Sequence, residues 1–536
     1  MKKYLLLLVF LCIPCIHYAQ IEDAWVYLTD KQDVAQSLSN PISILTQKAI
    51  DRKNNHGVVI DERDVPVNEN YINQLKTQNG ITVLAKSKWF NAVHIRGNES
   101  DISALISLNF VDAIDFANKN LSTLKSNQQK TESKLESVAT TFIYGSAFNQ
   151  IEMIKGNELH LANYTGSGIT IAVLDSGFPN VNNMSSFQRL ITAGNILGEY
   201  DFVNRDNDVY TNTTSSHGTW VLSSMAGYIE NQYVGTAPDA SYYLFITENA
   251  PSENPVEESY WVEAAERADS LGVDIINTSL GYSNYDNPNY SHSASDLDGN
   301  TTFITKGANI AFEKGMLLVT SAGNSGLSGV SAPADAAGVF TVGAVNSSGT
   351  YASFSSIGST MQPTQKPDVV AQGAASVLIR QDDVIITANG TSFSSPILAG
   401  AIACLWQALP DKTNAEIMQI VRESASQFSS PDYFLGYGIP NLQTALSNAL
   451  SNQDVLYDEL EVKIFPNPAN NVLNISTPFD EDVLTIRMFN ILGQETLTKN
   501  LSGGRNQVDI SNLNEGLYIL AVSSKSFKKT FKMVKN

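Results

Sequence analysis

The chain is short of cysteine, histidine and positive charge, and it has no apolar run long enough to cross a bilayer. Of the three cysteines among 536 residues, Cys12 and Cys15 fall in an N-terminal segment expected to be removed, so only Cys404 stays. That excludes an internal disulfide framework in the mature chain. Cys404 lies in the apolar stretch 399–406 and reads as inert packing. Lys and Arg number 34 against 54 Asp and Glu, a formal net charge of -20. Such a balance argues against a nucleic-acid partner. The apolar run 5–16 is too short for a membrane span, and no later segment is long enough. It follows Lys2-Lys3 and precedes Tyr18-Ala19-Gln20, the pattern of a secretory signal peptide cut after Ala19. A lipoprotein cut before Cys15 is disfavoured by the bulky Pro14.

What is present divides the chain into regions. At roughly 150 residues per domain, the length suggests three or four of them. Residues 20–138 form an α+β unit and a linker. Strands are expected near 24–28, 81–85, 92–96 and 111–116, and helices near 42–52 and 102–108. The stretch 127–137 is polar, with almost no apolar anchor, and reads as an exposed, cleavable linker. Residues 139–450 change character. Apolar strand candidates at 169–174, 242–246, 273–277, 316–321 and 339–345 alternate with helices expected at 256–271 and 303–314. Doubly apolar strands alternating with helices predict an α/β fold, a doubly wound parallel sheet covered on both faces. Residues 451–536 read as all-β, with short alternating strands near 484–489 and 517–522.

Three motifs then carry chemistry. Val173-Leu174-Asp175-Ser176-Gly177 ends a buried strand, and Ser216-His217-Gly218-Thr219 opens a helix. Asn389-Gly390-Thr391-Ser392-Phe393-Ser394-Ser395-Pro396 opens a second helix expected to run to about residue 408. Singly, each has an ordinary structural reading: a strand-end Asp bonding its own turn, a capping His, a capping Ser. Together they are what acyl transfer by an activated hydroxyl requires. Of six histidines, only His160, His217 and His292 lie beyond the N-terminal region, so candidates for the base are few. A fourth piece, Ser321-Ala322-Gly323-Asn324, places an amide after a strand. With the Ser392 N–H at a helix start, that amide is suited to holding an oxyanion.

These motifs, in this order, resemble the subtilases, subtilisin-like serine peptidases, over roughly residues 145–450. The resemblance implies Ser392 as nucleophile, His217 as general base, Asp175 as its orienting acid and Asn324 as oxyanion donor. It also implies substrate contacts at Ser279, Leu280 and Gly281, which pair with extended peptide, and at Ser321, Ala322 and Gly323, a wall of the main specificity pocket. Phe393 and Ser394 depart from the family, which often has Met and Ala there. The 20–125 unit resembles a subtilase propeptide, which assists folding and inhibits the enzyme. The tail resembles the C-terminal sorting domain of type IX secretion. Its matching pieces are Phe465-Pro466-Asn467-Pro468, Asn490-Ile491-Leu492-Gly493-Gln494 and Leu513-Asn514-Glu515-Gly516-Leu517-Tyr518, ahead of the basic end 531–535. The implied protein is a secreted endopeptidase made as a zymogen and exported to the surface or surroundings of a Gram-negative, Bacteroidetes-type bacterium. Its partners are polypeptide substrates, its own propeptide and the secretion machinery. No cofactor is required for the chemistry. Calcium is a structural ion in many members, and the one candidate loop, Asp296-Leu297-Asp298-Gly299-Asn300, reads better as a helix cap. The alternative is a catalytically silent protein-binding module on the same fold, which the intact motifs disfavour. Ester or peptidoglycan-like amide substrates are disfavoured by the peptide-pairing segment, and the acid-peptidase branch with a glutamate base by His217.

Overall fold

The computed structural model describes residues 21–121, 142–211, 213–459, 463–476, 484–490, 494–501, 505–523 and 528–536. The signal segment and the 127–137 linker lie outside the described residues. The chain divides into two compact units, parting after Leu446.

The first unit opens with a four-stranded antiparallel sheet of β1 (Ile21–Leu28), β2 (Thr82–Ser87), β3 (Ala92–Asn98) and β4 (Val111–Phe116), in the order β2-β3-β1-β4. The helix expected at 42–52 is interrupted. A short 3₁₀ turn, Pro41–Ser43, is followed by α1 (Gln47–Asn55). The Thr46 hydroxyl caps α1 by accepting from the Ala49 N–H at 3.2 Å, which restarts the helix there.

This sheet and helix pack on the rest of the unit through buried charge. Lys53 Nζ donates to Asp269 at 2.7 Å, and Lys314 Nζ donates to Asp64 at 2.8 Å. Glu266 accepts the backbone N–H groups of Lys88 and Trp89 at 2.8 and 2.9 Å. His94 bridges Asp23 (2.9 Å) and Ser259 (2.8 Å). Pairing of this kind holds two parts in one register without requiring that they stay together, because each charge regains water on separation.

The larger part is a seven-stranded sheet. Its strands are β5 (Thr170–Asp175), β6 (Ile196–Asp201), β7 (Ser241–Ile246), β8 (Ile275–Thr278), β9 (Leu317–Ser321), β10 (Val339–Val345) and β11 (Val369–Gln372). Their order is β11-β10-β9-β8-β5-β7-β6, and each adjacent pair is parallel. Every residue of β5, β8, β9 and β10 is buried, as near-continuous apolar runs between two helical layers require. The helices include α2 (His217–Ala226), α3 (Val256–Leu271), α4 (Phe303–Glu313) and α5 (Thr391–Ala408). All of α5 is buried, matching its apolar composition all round. Strands β6 and β11 had no sequence expectation. β6 is a half-exposed edge strand, and β11 is only four residues long, so neither carries a clear apolar run.

The second unit begins inside a helix, Leu442–Glu459, so the all-β region expected from residue 451 starts only at Lys463, after the helical run that Leu442, Ala445 and Ala449 anchor by their burial. Lys463–Phe465, Val472–Ser476 and Arg505–Asp509 form one antiparallel sheet. Glu495–Leu501, Leu484–Asn490, Gly516–Ser523 and Lys528–Lys535 form another. Leu473, Ile475 and Val508 of the first share one core with Ile486, Met488, Leu520, Val522 and Met533 of the second. Alternate residues of each strand therefore face inward, as in a sandwich.

Candidate active site

The four candidate residues collect at the carboxyl ends of the central strands, where ligands bind in open parallel sheets. Asp175 is the last residue of β5 and is fully buried. Its Oδ1 accepts the Ser176 N–H at 2.7 Å and the Ser176 hydroxyl at 3.2 Å. The same oxygen lies 2.8 Å from His217 Nδ1. Among the described residues Oδ2 has no partner.

His217 is the first residue of α2, and its backbone N–H donates to Ser215 Oγ at 3.2 Å. Two glycines explain how the ring reaches β5. A Cβ at Gly218 would stand 2.5 Å from the Gly177 carbonyl oxygen, and one at Gly177 would stand 2.7 Å from the Ser215 carbonyl oxygen. The turn after Asp175 and the start of α2 therefore touch backbone to backbone. The Thr219 hydroxyl fixes the same contact by donating to the Pro179 carbonyl at 3.0 Å. Gly218→Ala is expected to keep the fold but push the imidazole off line. Displacements near 1 Å cost about 10²-fold in turnover. Steady-state kinetics beside a melting curve would check this: wild-type turnover in the variant contradicts the packing argument.

Burial disfavours a charged His217 ring, but the charge and hydrogen bond of Asp175 outweigh it, and the histidine titrates above its ordinary value. The other two histidines are engaged elsewhere. His160 is buried between the Tyr144 hydroxyl (2.8 Å) and the Thr236 carbonyl (2.9 Å), and burial pushes it down to about 4. His292 lies 2.7 Å from Glu258.

Ser392 is the second residue of α5, one turn before Pro396. Pro396 is the sixth residue of the helix, inside it rather than in its first turn, and lacks the N–H that would otherwise bond the Ser392 carbonyl four residues back. Among the described residues the Ser392 hydroxyl finds one hydrogen-bond partner, the Ser279 carbonyl at 3.4 Å. In return the Ser279 hydroxyl donates to the Ser392 carbonyl at 2.9 Å. The imidazole thus bonds the acid and not yet the alcohol. Phe393 leans on the ring at 5.9 Å between centroids, which sets the first turn of α5 beside it.

Asn324 follows β9 by three residues. Its Oδ1 accepts from the Thr391 N–H at 2.9 Å and the Thr391 hydroxyl at 3.0 Å. With the oxygen so committed, the NH₂ end faces away from Thr391 and has no acceptor among the described residues. It stands 3.7 Å from the point a Cβ on Gly390 would occupy, at the entrance to α5.

Ser321 and Ala322 are buried, and Gly323 sits at φ +104, in the region that favours glycine. Ser279, Leu280 and Gly281 lie just beyond β8 rather than within it. The chain then pairs with a neighbouring segment, Tyr282 N–H to Ala332 O at 2.8 Å and Ala332 N–H to Tyr282 O at 3.0 Å. Sequence reasoning gave no role to Thr391, Ser215 or the second hydrogen bond of Ser279. Their partners are distant along the chain, and no spacing rule links them.

The 296–300 loop is a capping structure. Asp298 accepts from the N–H groups of Asn300 and Thr301 at 2.9 and 2.8 Å, and Asp296 accepts the Lys119 ammonium at 2.8 Å. An ammonium on Asp296 does not fit a calcium ligand set.

Three stretches match known families. Residues 23–134 match the peptidase S8 propeptide domain of Bacteroidota, residues 166–438 the subtilase family, and residues 463–536 a secretion system C-terminal sorting domain. Subtilisin NAT from Bacillus subtilis subsp. natto is 33% identical over 300 residues, covering 55% of this chain and 70% of that protein. Subtilisin from Bacillus pumilus is also 33% identical over 300 residues, covering 55% of this chain and 97% of its own length. Subtilisin DY from Bacillus licheniformis is 28% identical over 312 residues, 57% and 99% of the two chains.

Proposed function

This chain belongs to the subtilase family, a serine endopeptidase with a propeptide and a secretion tail, and on that premise we propose how its own residues perform the reaction. His217 Nε2 takes the proton of Ser392 Oγ, which attacks the scissile carbonyl. The Ser392 N–H and the Asn324 NH₂ hold the oxyanion. His217 then protonates the leaving amine, and water, activated by the same ring, hydrolyses the acyl-enzyme. The 2.8 Å contact between Asp175 and His217 carries this reading, because it fixes Nδ1 as the protonated nitrogen and leaves Nε2 to act as base. Substrate binding is expected to close the remaining gap to Ser392, since catalytic hydrogen bonds are commonly long before the substrate arrives.

Peptide lies extended along Ser279–Leu280–Gly281, with the residue before the scissile bond directed at the Ser321–Gly323 wall. The chemistry draws on the chain's own groups, the Ser392 backbone N–H among them, and any calcium acts structurally. Residues 1–19 act as the signal, 20–138 as an inhibiting propeptide with its linker, 139–450 as the peptidase and 451–536 as the export signal read by type IX machinery. The enzyme works outside the outer membrane of a Bacteroidota-type bacterium.

In subtilisin, loss of one oxyanion donor costs about 10²–10³ in kcat, a value for the relative rather than a derivation for this chain. Asn324→Leu is expected to fall in that range with KM little changed. A loss confined to KM would remove Asn324 from the oxyanion site.

A further inference from the structure

Asp175 meets its neighbours through one oxygen. Its Oδ1 accepts the Ser176 N–H at 2.7 Å and the Ser176 hydroxyl at 3.2 Å, and lies 2.8 Å from His217 Nδ1. Among the described residues Oδ2 has no partner. The alignment of acid and ring therefore depends on what fixes a single atom. The contacts of Ser176 continue beyond it. Ser176 Oγ lies 2.9 Å from Ser215 Oγ, and Ser215 Oγ accepts the His217 backbone N–H at 3.2 Å. Acid and base are thus joined twice. One route is the imidazole, and the other runs through two hydroxyls to the backbone of the same histidine.

Proton counting gives the second route a direction. A hydroxyl has one proton to donate and two lone pairs to accept with. The ionised Asp175 has no proton, so Ser176 donates to it. With that proton spent, the 2.9 Å contact is made with Ser215 donating to Ser176. Ser215 in turn accepts from the His217 N–H, one of the donors that a helix start leaves unpaired. Every donor then points toward the carboxylate, the arrangement in which successive hydrogen bonds strengthen one another. The bridge has little room to move. Ser176 is buried and Ser215 half-buried, and the Ser215 carbonyl oxygen is the atom a Cβ on Gly177 would meet at 2.7 Å.

We propose that Ser215 is a positioning residue of the reaction: through Ser176 it holds the Asp175 carboxylate in line with the His217 imidazole. The inference rests on the active-site reading above. Ser215 acts on the acid and the base and not on the peptide, so its loss should lower turnover and leave KM alone.

The test uses the processed full-length enzyme, with active sites counted by a serine-directed phosphonate. In Ser215→Ala, kcat per titrated site is expected to fall about tenfold, less than the roughly 10²-fold that a full 1 Å misplacement costs. The acid limb of kcat/KM should move to lower pH. The charge and hydrogen bond of Asp175 raise the His217 ring against burial, and no other charged group acts on it. Ser215→Thr keeps the hydroxyl and should restore both quantities. Ser176→Ala should cost at least as much turnover, which serves if Ser215→Ala fails to fold. The double variant should cost no more than Ser176→Ala alone, because a bridge cut at one link carries nothing through the other. Wild-type kcat and an unmoved acid limb in Ser215→Ala overturn the inference and leave the triad untouched. So do additive losses in the double variant. So does a loss of activity explained in full by a lower melting point or fewer titrated sites, with the limb in place, because that is a scaffold role. Failure of the wild type to cleave any member of an unbiased peptide library would instead overturn the active-site reading itself.

Discussion

Ser392→Ala is expected to fold and to lose essentially all peptidase activity. In subtilisin, removal of the nucleophile lowers kcat by about 10⁶-fold, a measured value for a relative that sets the scale here. The fold should survive. Ser392 sits at the start of a helix whose burial comes from Ile397, Leu398, Ile402, Leu405 and their neighbours. Among the described residues its hydroxyl makes only the 3.4 Å hydrogen bond to the Ser279 carbonyl. The bond from Ser279 to the Ser392 backbone carbonyl does not involve the hydroxyl and persists. Labelling by serine-directed phosphonates should vanish with activity. The same protein tests maturation. If the enzyme cuts its own 127–137 linker, the variant expressed alone keeps its propeptide, still held by the Lys53–Asp269 and Lys314–Asp64 pairs. Mass spectrometry of intact protein decides both points. Wild-type turnover refutes the nucleophile, and normal processing without turnover refutes self-cleavage.

Asp175→Asn carries the second large effect, a loss on the order of 10⁴ in kcat, as for other triads of this type. One Asp175 oxygen accepts from both the Ser176 N–H and the imidazole, so an amide oxygen can replace it sterically without replacing its charge. The imidazolium formed on proton transfer then loses its counter-ion. The pH profile should move as well. In the wild type, Asp175 overcomes burial and raises His217 above its ordinary value of about 6.5. The base must be neutral in the free enzyme, so wild-type kcat/KM falls as pH drops through a midpoint above that value. In the variant both raising influences weaken while burial remains. The acid limb should then move to lower pH, and the residual activity should hold its plateau further into acid. A limb that stays in place would mean that another group sets it.

Much of this architecture was legible in the chain. The strand 339–345 and the helix 256–271 fall where apolar patterning put them, because buried parallel strands and long amphipathic helices write their burial into composition. Asp175, His217 and Ser392 stand out in the sequence because each lies at the end or start of an element in a short motif, and Asn324 because it follows a strand after two small residues. Even their glycines make sense there: Gly177 and Gly218 exist so that two backbones can touch. The helix expected at 42–52 broke because Thr46 captures the Ala49 N–H, a local contest that periodicity does not register.

Residue types and their order along the polymer were enough to indicate parallel strands, a serine-histidine-aspartate chemistry and a protein built for export. Only the tertiary structure decided which neighbours serve it. Thr391 turns the Asn324 amide, Ser279 holds Ser392 by both its hydroxyl and its carbonyl, and the Thr247 N–H ties the end of β7 to the Asp175 carbonyl. Those contacts join residues tens to more than a hundred positions apart. They arise from strand order at the sheet rim, and neither periodicity nor motif spacing encodes it.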